Sequence, residues 1–262
     1  MKLRERIKKY LKRRKEKPEE VELSIIIPTL NEEKYLPKLL DSLVKQTYKN
    51  FEVIIVDGNS KDRTKEVANS FKQILARLSF YIERKKSCGR QRNIGANHAK
   101  GKYLLFLDAD VILKQKAFLK KTIKEFKKRK LDIATCRVKP ISGDIRDKLI
   151  FRFFAWIIVR LQRTYPIAQG CCIFSTPKIH RKIKGFDTAI NLGEDVDYVN
   201  RASKVGNFRV LKRGIVYVSI RRLKMEGRLK FFMKYLATGV HYSAVGPVKE
   251  GSIIKYKFGE YK

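Results

Sequence analysis

Residues 23–32 read LSIIIPTLNE, an apolar run that stops at a proline and is followed by polar residues. Similar apolar runs lie at residues 53–56, directly before Asp57, and at residues 103–107, directly before Asp108. Continuous apolar runs of this length are typical of strands that are covered on both faces, as in a parallel sheet. Helical stretches alternate with these runs, at about residues 34–46, 65–77 and 90–99. The alternation predicts an α/β fold with an open, mostly parallel sheet flanked by helices.

Beyond residue 112 the pattern is less regular. We predict strands at residues 133–138, 172–175 and 211–220, the last with a turn at Arg213-Gly214, and helices at residues 149–161, 194–205 and 229–240. The segment 149–161 is rich in aromatic and aliphatic residues, and Lys148, Arg152, Arg160 and Arg163 share one sector of its helical wheel. Such a helix is either a buried core helix or one that lies on a membrane or against a lipid acceptor.

The composition is that of a globular protein. The chain has 262 residues, enough for one large domain or one and a half, and 44% of them are hydrophobic. The 61 Lys and Arg residues outnumber the 26 Asp and Glu residues, giving a formal net charge of +35. Such a charge attracts nucleotides, nucleic acid or an acidic membrane surface, and it does not distinguish among them.

Cysteine usage and hydropathy bear on location. Cys88, Cys136, Cys171 and Cys172 form no CxxC pair, and no histidine stands at zinc-ligand spacing. We therefore expect reduced thiols in a cytoplasmic protein. The charged N-terminus predicts no signal peptide, and no apolar run reaches the roughly 20 residues needed to cross a bilayer. We expect a protein that is soluble or attached to the membrane surface.

Residues 1–20 form a basic N-terminal arm. Leu3, Ile7, Tyr10 and Leu11 recur at helical spacing among lysines and arginines, which predicts an amphipathic helix. Such a helix binds an anionic membrane or remains a solvated terminal helix, and the sequence leaves both open. At the other end, residues 221–262 are predicted to form a C-terminal helical extension.

Polar and acidic residues follow three of the predicted strands, at residues 28–32, 57–60 and 108–110. Ligands of open α/β sheets bind at the carboxyl ends of the strands, so these loops predict a binding site. At the period of a strand, Asp108 and Asp110 point to the same side. Two carboxylates on one side suit Mg²⁺ or Mn²⁺ as a cofactor.

Four segments together resemble the family two inverting glycosyltransferases. They are SIIIPTLNEE (24–33), VDGNSKDRT (56–64), GRQRNIGANHAKGKYLLFLDAD (89–110) and GEDVDYVNR (193–201). The resemblance implies the GT-A fold over residues 21–220, with a donor-binding half at 21–112 and an acceptor half at 113–220. It also implies metal-assisted transfer, with inversion, from a UDP- or GDP-sugar to an acceptor hydroxyl or lipid phosphate.

The resemblance assigns donor-site roles by position. The residues expected to contact the nucleotide-sugar are Pro28, Thr29, Asn31, Glu32, Asp57, Gly89, Arg90, Asn93, Asp108 and Ala109. In this family the first aspartate of the DAD motif tends to contact the ribose, and Asp110 coordinates the metal. A glycine beside cations at a helix N-terminus is suited to a diphosphate. Arg90 or Arg92 as a plain surface cation remains the alternative.

The acceptor-side roles follow the GEDVD segment. The resemblance makes Asp195 the general base, with Glu194 as its orienting partner and Asp197 as the rival base. Gln169 and Gly170 match the region at the acceptor entrance. Arg221 and Arg222 follow a strand, at a place where related transferases carry basic residues that can close over the diphosphate. Of the two, Arg222 is expected to contact phosphate or the acceptor. His241 is either a further metal or phosphate contact or a structural histidine.

Other functions fit the sequence less well. A sugar nucleotidyltransferase carries a glycine-rich loop after its first strand, where this chain has Pro-Thr-Leu-Asn-Glu. Dehydrogenases and P-loop proteins need G-x-G-x-x-G or G-K-[ST], and neither occurs. No nucleic-acid-binding module is recognisable, so we expect no nucleic-acid partner despite the charge. Without a clear Q-x-x-R-W motif, the family resemblance favours transfer of single sugars over processive synthesis.

Overall fold

The computed structural model describes residues 20–168, 170–244, 246 and 248–249, and the elements named below lie within them. The strands are β1 (Leu23–Thr29), β2 (Phe51–Asp57), β3 (Leu78–Ile82), β4 (Tyr103–Leu107), β5 (Val111–Ile112), β6 (Ile133–Pro140), β7 (Cys172–Ser175), β8 (Ile190–Leu192), β9 (Phe208–Val218) and β10 (Val248–Lys249). The helices are α1 (Leu36–Val44), α2 (Thr64–Ser70), α3 (Cys88–His98), α4 (Phe118–Lys128), α5 (Ile145–Leu161), α6 (Pro177–Lys182), α7 (Glu194–Ser203), α8 (Arg221–Glu226) and α9 (Arg228–Ala244). Residues 1–19 of the predicted arm and residues 245, 247 and 250–262 of the predicted extension lie outside the described residues.

One curved sheet, in the order β3-β2-β1-β4-β7-β6-β9-β5, organises the molecule. Its first four strands are parallel and are joined through α1, α2 and α3. Every residue of β1 and β2 is buried. Helices cover both faces of these strands, which is why they consist of continuous apolar runs instead of alternating ones.

The second half of the sheet is mixed. β7 runs antiparallel to both β4 and β6, β9 runs parallel to β6, and β5 runs antiparallel to β9. The prediction of a mostly parallel sheet therefore holds for the first four strands but not for the whole. The acidic residues of the predicted DAD motif lie between β4 and β5, at the junction of the two halves.

One predicted helix end and one predicted turn are wrong. The helix expected at 65–77 ends at Ser70, because the following backbone N–H groups bond mainly to carbonyls three residues back and form turns. The turn expected at Arg213-Gly214 is absent, and β9 runs through it. Its pairing with β6 shifts register there, as in a β-bulge. A Cβ on Gly214 would stand 2.6 Å from Thr122 Cγ2, so the bulge brings the backbone close to α4.

The helices α5 and α9 close the side of the molecule next to the sheet's mixed half. α5 starts four residues earlier than predicted, and Asp144 caps it by accepting a hydrogen bond from the Arg146 N–H at 2.9 Å. Phe151 and Ile158 on its inner face are buried, whereas Trp156 is 62% exposed. α5 is thus not a fully buried core helix. Among the described residues, no helix has the length and apolar character needed to cross a bilayer.

Candidate active site

The loops after β1 and β4, the start of α3, the loop before β7, the start of α7 and the start of α8 enclose one cleft of about 710 Å³. It lies at the carboxyl ends of the parallel strands, where the sequence predicts a site. Many of the predicted residues meet there. Those that line the cleft are Pro28, Asn31, Glu32, Gly89, Asp108, Ala109, Asp110, Gly170, Glu194, Asp195 and Arg222.

Thr29 and Asp57 do not line this cleft and lie in the layer beneath it. The Thr29 hydroxyl donates to Asp57 Oδ1 at 2.7 Å, and the Ser60 hydroxyl donates to the same oxygen at 2.6 Å. The Ser60 N–H donates to Asp57 Oδ2 at 2.7 Å. Asp57 therefore ties the loop after β2 to the end of β1. Its predicted contact with the nucleotide base stays a prediction.

The loop after β1 is held in shape by Asn31. This residue has a φ of 56°, in the left-handed region that asparagine tolerates better than most residues. Its N–H donates to Ser60 Oγ at 2.8 Å, and its Oδ1 accepts from the Lys61 N–H at 2.9 Å. The side chain predicted to contact the donor therefore also fixes the loops that form one wall of the cleft.

Arg90 and Asn93, both predicted to contact the donor, point away from the cleft. Arg90 Nε donates to Glu83 at 2.9 Å, and its side chain is 42% exposed. Asn93 uses both ends of its amide on the backbone of Phe186, each at 2.8 Å. Asn93 therefore holds the loop before β8 against α3. Neither residue is among those that line the cleft.

Arg92 is the cation that α3 places in the cleft, and it is absent from the predicted site. Its side chain is only 2% exposed. It donates at 2.8 Å to Asp108 and at 2.8 Å to Glu194, and at 3.2 Å to the carbonyl of Gly170. Arg92 thus joins three loops of the cleft that are far apart in sequence.

A sequence pattern could have identified Arg92. Gly89, Arg92 and Gly95 follow one another at intervals of three, so they share one face of α3. All three are buried, and a Cβ on Gly95 would stand 2.4 Å from Ile26 Cγ2. Gly95 therefore lets this face of the helix approach β1, whereas a Cβ on Gly89 would stand 3.2 Å from Phe186 Cβ in the loop before β8. An arginine between them faces inward, whereas Arg90 faces outward.

Asp195 faces the cleft from the start of α7 and packs against Gly170. A Cβ on Gly170 would stand 2.7 Å from Asp195 Oδ2, so only glycine leaves room for the carboxylate at this distance. Burial and the negative charge of Glu194 raise the pKa of Asp195 to about 7, although Arg92 opposes the rise. Asp195 is thus a carboxyl group that can accept a proton near neutral pH. Gln169, the other residue predicted beside it, lies outside the described residues.

Asp197, the rival base, and His241 occupy structural positions. Asp197 is buried, and Arg201 Nε donates to it at 2.8 Å within the same helix. His241 Nδ1 lies 3.1 Å from the carbonyl of Gly246. Neither residue lines the cleft.

A second arginine, Arg221, lines the cleft from the start of α8. It forms a two-pronged ion pair with Glu32, and its Nε lies 3.4 Å from Asp110 Oδ2. Burial raises the pKa of Glu32 to about 7, although Arg221 lowers it, and burial likewise raises the pKa of Asp110. The neighbouring Arg222 lines the cleft and bonds to Tyr235.

Asp108 and Asp110 fit the predicted divalent cation. Both are hard oxygen donors at the cleft, and burial of the Asp110 carboxylate favours a nearby positive charge. Among the described residues, no cluster of three or more His, Cys, Asp or Glu side chains is placed to hold a metal. The pair therefore suits an ion such as Mg²⁺ or Mn²⁺ that takes its remaining ligands from a substrate and water.

The far end of the cleft is apolar. Helices α5 and α9 face each other across it. Their side chains that line it are Phe151, Phe154, Ile157, Ile158, Phe231, Tyr235, Leu236 and Thr238. The cleft thus joins a polar end of carboxylates and arginines to an end suited to an apolar group.

Sequence comparisons identify relatives of this cleft-bearing region. The model of the family described as Glycosyl transferase family 2 matches residues 24–176, more than half of the chain. Glycosyltransferase GlyA of Streptococcus pneumoniae is 34% identical over 93 residues, or 36% of this chain and 13% of GlyA. The poly(ribitol-phosphate) beta-N-acetylglucosaminyltransferase TarS of Staphylococcus aureus is 31% identical over 126 residues, or 47% of this chain and 22% of TarS. This chain thus aligns with less than a quarter of the length of either relative.

Solved structures share the architecture. A TarS fragment in complex with UDP-GlcNAc superposes with a TM-score of 0.63 and 20% identity, covering 85% of this chain and 73% of that one. The mannosyltransferase PcManGT of Pyrobaculum calidifontis, in complex with GDP-Man and Mn²⁺, gives a TM-score of 0.66 at 18% identity and covers 88% and 70%. At such identities the likeness shows the fold alone. The family match and this fold together make the chain a member of glycosyl transferase family 2 with the GT-A fold.

Proposed function

We propose that this protein is an inverting glycosyltransferase of glycan biosynthesis. It would move a sugar from a UDP- or GDP-sugar to an acceptor hydroxyl or lipid phosphate. The observation that carries the proposal is the shared cleft: the Asp108–Asp110 pair and the buried carboxyl of Asp195 line it together, and Arg92 connects their loops. Inversion needs a base that acts on the acceptor while the diphosphate leaves, and the cleft offers both a base and a donor end.

Asp195 is the base in this proposal. Its carboxylate takes the proton of the acceptor hydroxyl as that oxygen bonds to the anomeric carbon and the bond from that carbon to the diphosphate breaks. No covalent intermediate with the protein forms. Its pKa of about 7 suits the task, since a base with such a pKa is largely deprotonated just above neutral pH and still accepts a proton readily. Arg92 fixes Glu194, which in turn orients the start of α7.

The nucleotide end of the donor is proposed to lie against Pro28, Asn31 and Glu32. The buried Thr29 and Asp57 would support these loops, and contact of Asp57 with the base stays a prediction. The two related structures that hold UDP-GlcNAc and GDP-Man support a nucleotide-sugar donor. They leave open whether the base here is uracil or guanine. Arg221 and Arg222 supply positive charge on the side where a diphosphate would leave.

Asp108 and Asp110 are proposed to hold Mn²⁺ or Mg²⁺, with Asp108 also facing the ribose. When bound, such an ion neutralises the charge that develops on the departing diphosphate. Mn²⁺ in the related mannosyltransferase structure supports this choice of cation. In the chain itself, Arg221 beside Asp110 already provides part of that positive charge.

We also propose a cytoplasmic location with attachment to a membrane surface. The four cysteines lie in the described part of the chain and are free thiols, as expected in a reducing compartment. The net charge of +35 would favour an acidic membrane face.

The test is release of free nucleotide diphosphate from a panel of UDP-, GDP- and TDP-sugars, with Mn²⁺, Mg²⁺ or EDTA. We expect slow, metal-dependent release from one donor. Asp110→Ala should abolish the metal-dependent part while the fold is retained. Asp195→Asn should keep donor affinity, measured by calorimetry, and lose roughly 10²–10⁴-fold in transfer.

The matched control is Asp41→Asn, which removes an exposed carboxylate on α1 that does not line the cleft and should change neither quantity. Full activity of Asp110→Ala would contradict the metal assignment. An unchanged transfer rate in Asp195→Asn would move the base to another residue. Absence of binding to every donor would contradict the glycosyltransferase proposal as a whole.

A further inference from the structure

Helix α5 exposes large apolar side chains along one side. Leu149, Phe153 and Trp156 follow at intervals of four and three residues, so they share one face of the helix. They are 54%, 42% and 62% exposed. The opposite side of the helix supplies Phe151 and Ile158 to the interior. The exposed side is thus a second apolar surface of the helix, one that does not pack into the core.

Helix α9 continues this surface. The Phe232 ring lies 5.9 Å from the ring of Phe153, which packs in turn against Trp156 at 6.4 Å. Leu229 and Met233, 76% and 52% exposed, extend the surface along α9. We name the exposed sides of these two helices together the α5–α9 face. A contiguous exposed apolar surface of this kind marks an interaction site.

The charges around the α5–α9 face have one sign. Among the described side chains of the two helices, the exposed charged ones are all cationic: Arg146, Lys148, Arg152, Arg160 and Lys230. The acidic groups nearby are neutralised, because Arg228 bonds to Asp144 at 2.6 Å and to Asp147 at 2.7 Å. Aromatic and aliphatic side chains interleaved with arginine and lysine suit the boundary between lipid headgroups and acyl chains.

We propose that the α5–α9 face docks on an anionic lipid bilayer and presents the apolar end of the cleft to acceptors carried by that bilayer. The cleft reaches this face, since Leu236 lines the cleft and is also 41% exposed. The second part rests on the proposed transfer of a sugar, because it names the class of acceptor for the same cleft. The first part is independent of it.

Two other occupants fit the face less well. A second copy of the chain would bring a further net charge of +35 against a cationic surface. The phosphates of a nucleic acid would form ion pairs with the arginines. They would not cover exposed aliphatic residues such as Leu149 and Met233, which would stay in contact with water. An anionic bilayer pairs its headgroups with the cations and buries the apolar side chains among its acyl chains.

Trp156 is the only tryptophan of the chain, so its fluorescence reports on this face directly. The full chain is mixed with equimolar phosphatidylcholine–phosphatidylglycerol vesicles, with pure phosphatidylcholine vesicles, or with a single-stranded oligonucleotide. We expect a blue shift of the Trp156 emission and quenching by brominated acyl chains, both requiring phosphatidylglycerol and both weakened by salt. The double variant Leu149→Ser, Met233→Ser should bind the mixed vesicles roughly tenfold more weakly or worse.

The matched control is Ile74→Ser, Ile82→Ser, which removes two exposed apolar residues, 63% and 54% exposed, that are not on the α5–α9 face. It should bind the vesicles as the parent does. Neither residue of the face variant lines the cleft, so its nucleotide release without vesicles should stay unchanged. Binding failure with intact nucleotide release therefore separates this proposal from the proposed function.

Three results would overturn the proposal. Sedimentation with vesicles that leaves the Trp156 emission unchanged would place the contact elsewhere on the chain. A response of Trp156 to the oligonucleotide but not to vesicles would make the face a nucleic-acid surface. A response to neither would mean that the face does not dock on lipid. Each reading uses the unmodified protein and does not depend on whether the variants fold.

Discussion

Arg92 and Arg221 both line the cleft, and they differ in the segments whose carboxylates they contact. Arg92 joins Asp108 to Glu194, so it links the donor loop to the start of α7. Arg221 joins α8 to Glu32 and lies beside Asp110. The side chain of Arg92 is 2% exposed and that of Arg221 is 10% exposed.

Both carboxylate neighbours of Arg221 have a raised pKa. The pKa of Glu32 is raised to about 7 and that of Asp110 is also raised, because burial outweighs the nearby arginine. The partners of Arg92 are ion-paired at 2.8 Å on both sides. We infer that Arg92 is a positioning residue that holds the cleft together. Around Arg221, a bound diphosphate and cation would change the protonation of the neighbouring carboxyl groups, because the pKa of each is already raised.

The largest effect should come from Arg92→Met. It leaves Asp108 and Glu194 without their shared cation, which should lower the free energy of unfolding by about 3 kcal/mol. Transfer should fall by a hundredfold or more, roughly, because the loops that carry the two carboxylates lose their connection. Chemical denaturation and nucleotide release would measure these quantities.

Arg90→Met is the matched control, since Arg90 lies two residues away and pairs with Glu83 near the surface. It should change stability by less than about 1 kcal/mol. Equal losses for Arg90→Met and Arg92→Met would remove the distinction between the two cations.

Arg221→Met should affect donor use more than stability. We expect a loss of about a hundredfold in kcat/KM for the nucleotide-sugar, since the positive charge next to the proposed diphosphate is removed. Thermal unfolding should change less than in Arg92→Met. A loss of stability as large as that of Arg92→Met, with normal donor affinity, would show that both arginines are structural.

Gly170→Ala tests the close approach of Asp195. The new Cβ would stand 2.7 Å from Asp195 Oδ2 and must displace the carboxylate or the loop. Transfer should fall about tenfold to a hundredfold with donor affinity retained. Gly143→Ala is the control, because a Cβ there meets nothing within 4 Å. Unchanged transfer in Gly170→Ala would argue against Asp195 as the base.

The smallest and most graded effect is that of pH. With the pKa of Asp195 at about 7, transfer should rise about tenfold per pH unit below 7 and level off above it, because only the carboxylate accepts the proton. Glu32 has a pKa raised to about the same value. Glu32→Gln should keep the rise and Asp195→Asn should remove it. The reverse outcome would make Glu32 the titrating group.

The same shift has a consequence for stability. Because the folded state raises the pKa of Asp195, it binds that proton more tightly than the unfolded chain does. The free energy of unfolding that Asp195 contributes should therefore fall as pH rises from about 4 to about 7. Above pH 7, Asp195→Asn should be more stable than the parent. A less stable variant would indicate that the contacts of the Asp195 carboxylate stabilise the fold by more than its burial costs.

Local sequence predicted the first half of the fold well. The apolar runs that end at Pro28, Asp57 and Asp108 form β1, β2 and β4 in a parallel sheet. A strand buried on both faces needs apolar residues at successive positions, so its sequence alone identifies it. The mixed pairing of β6, β7 and β9 was not predictable in the same way. Strand direction there depends on which distant strand each one meets, and short apolar runs carry no such information.

For the site, the sequence by itself determined that the loops after β1 and β4 meet and which acidic residues they carry, whereas Asp57 after β2 does not line the cleft. The acids that end β4 and open α7 were predicted to share one site, and both line the cleft. The chain also determined that Arg90 and Arg92 lie near it, but only the tertiary structure decided between them. Gly95 allows one face of α3 to pack closely on Ile26 of β1, so Arg92 on that face points inward and Arg90 points outward. Likewise only packing placed Gly170 against Asp195, because the pKa of a carboxyl group depends on burial and on neighbours that are distant in the chain.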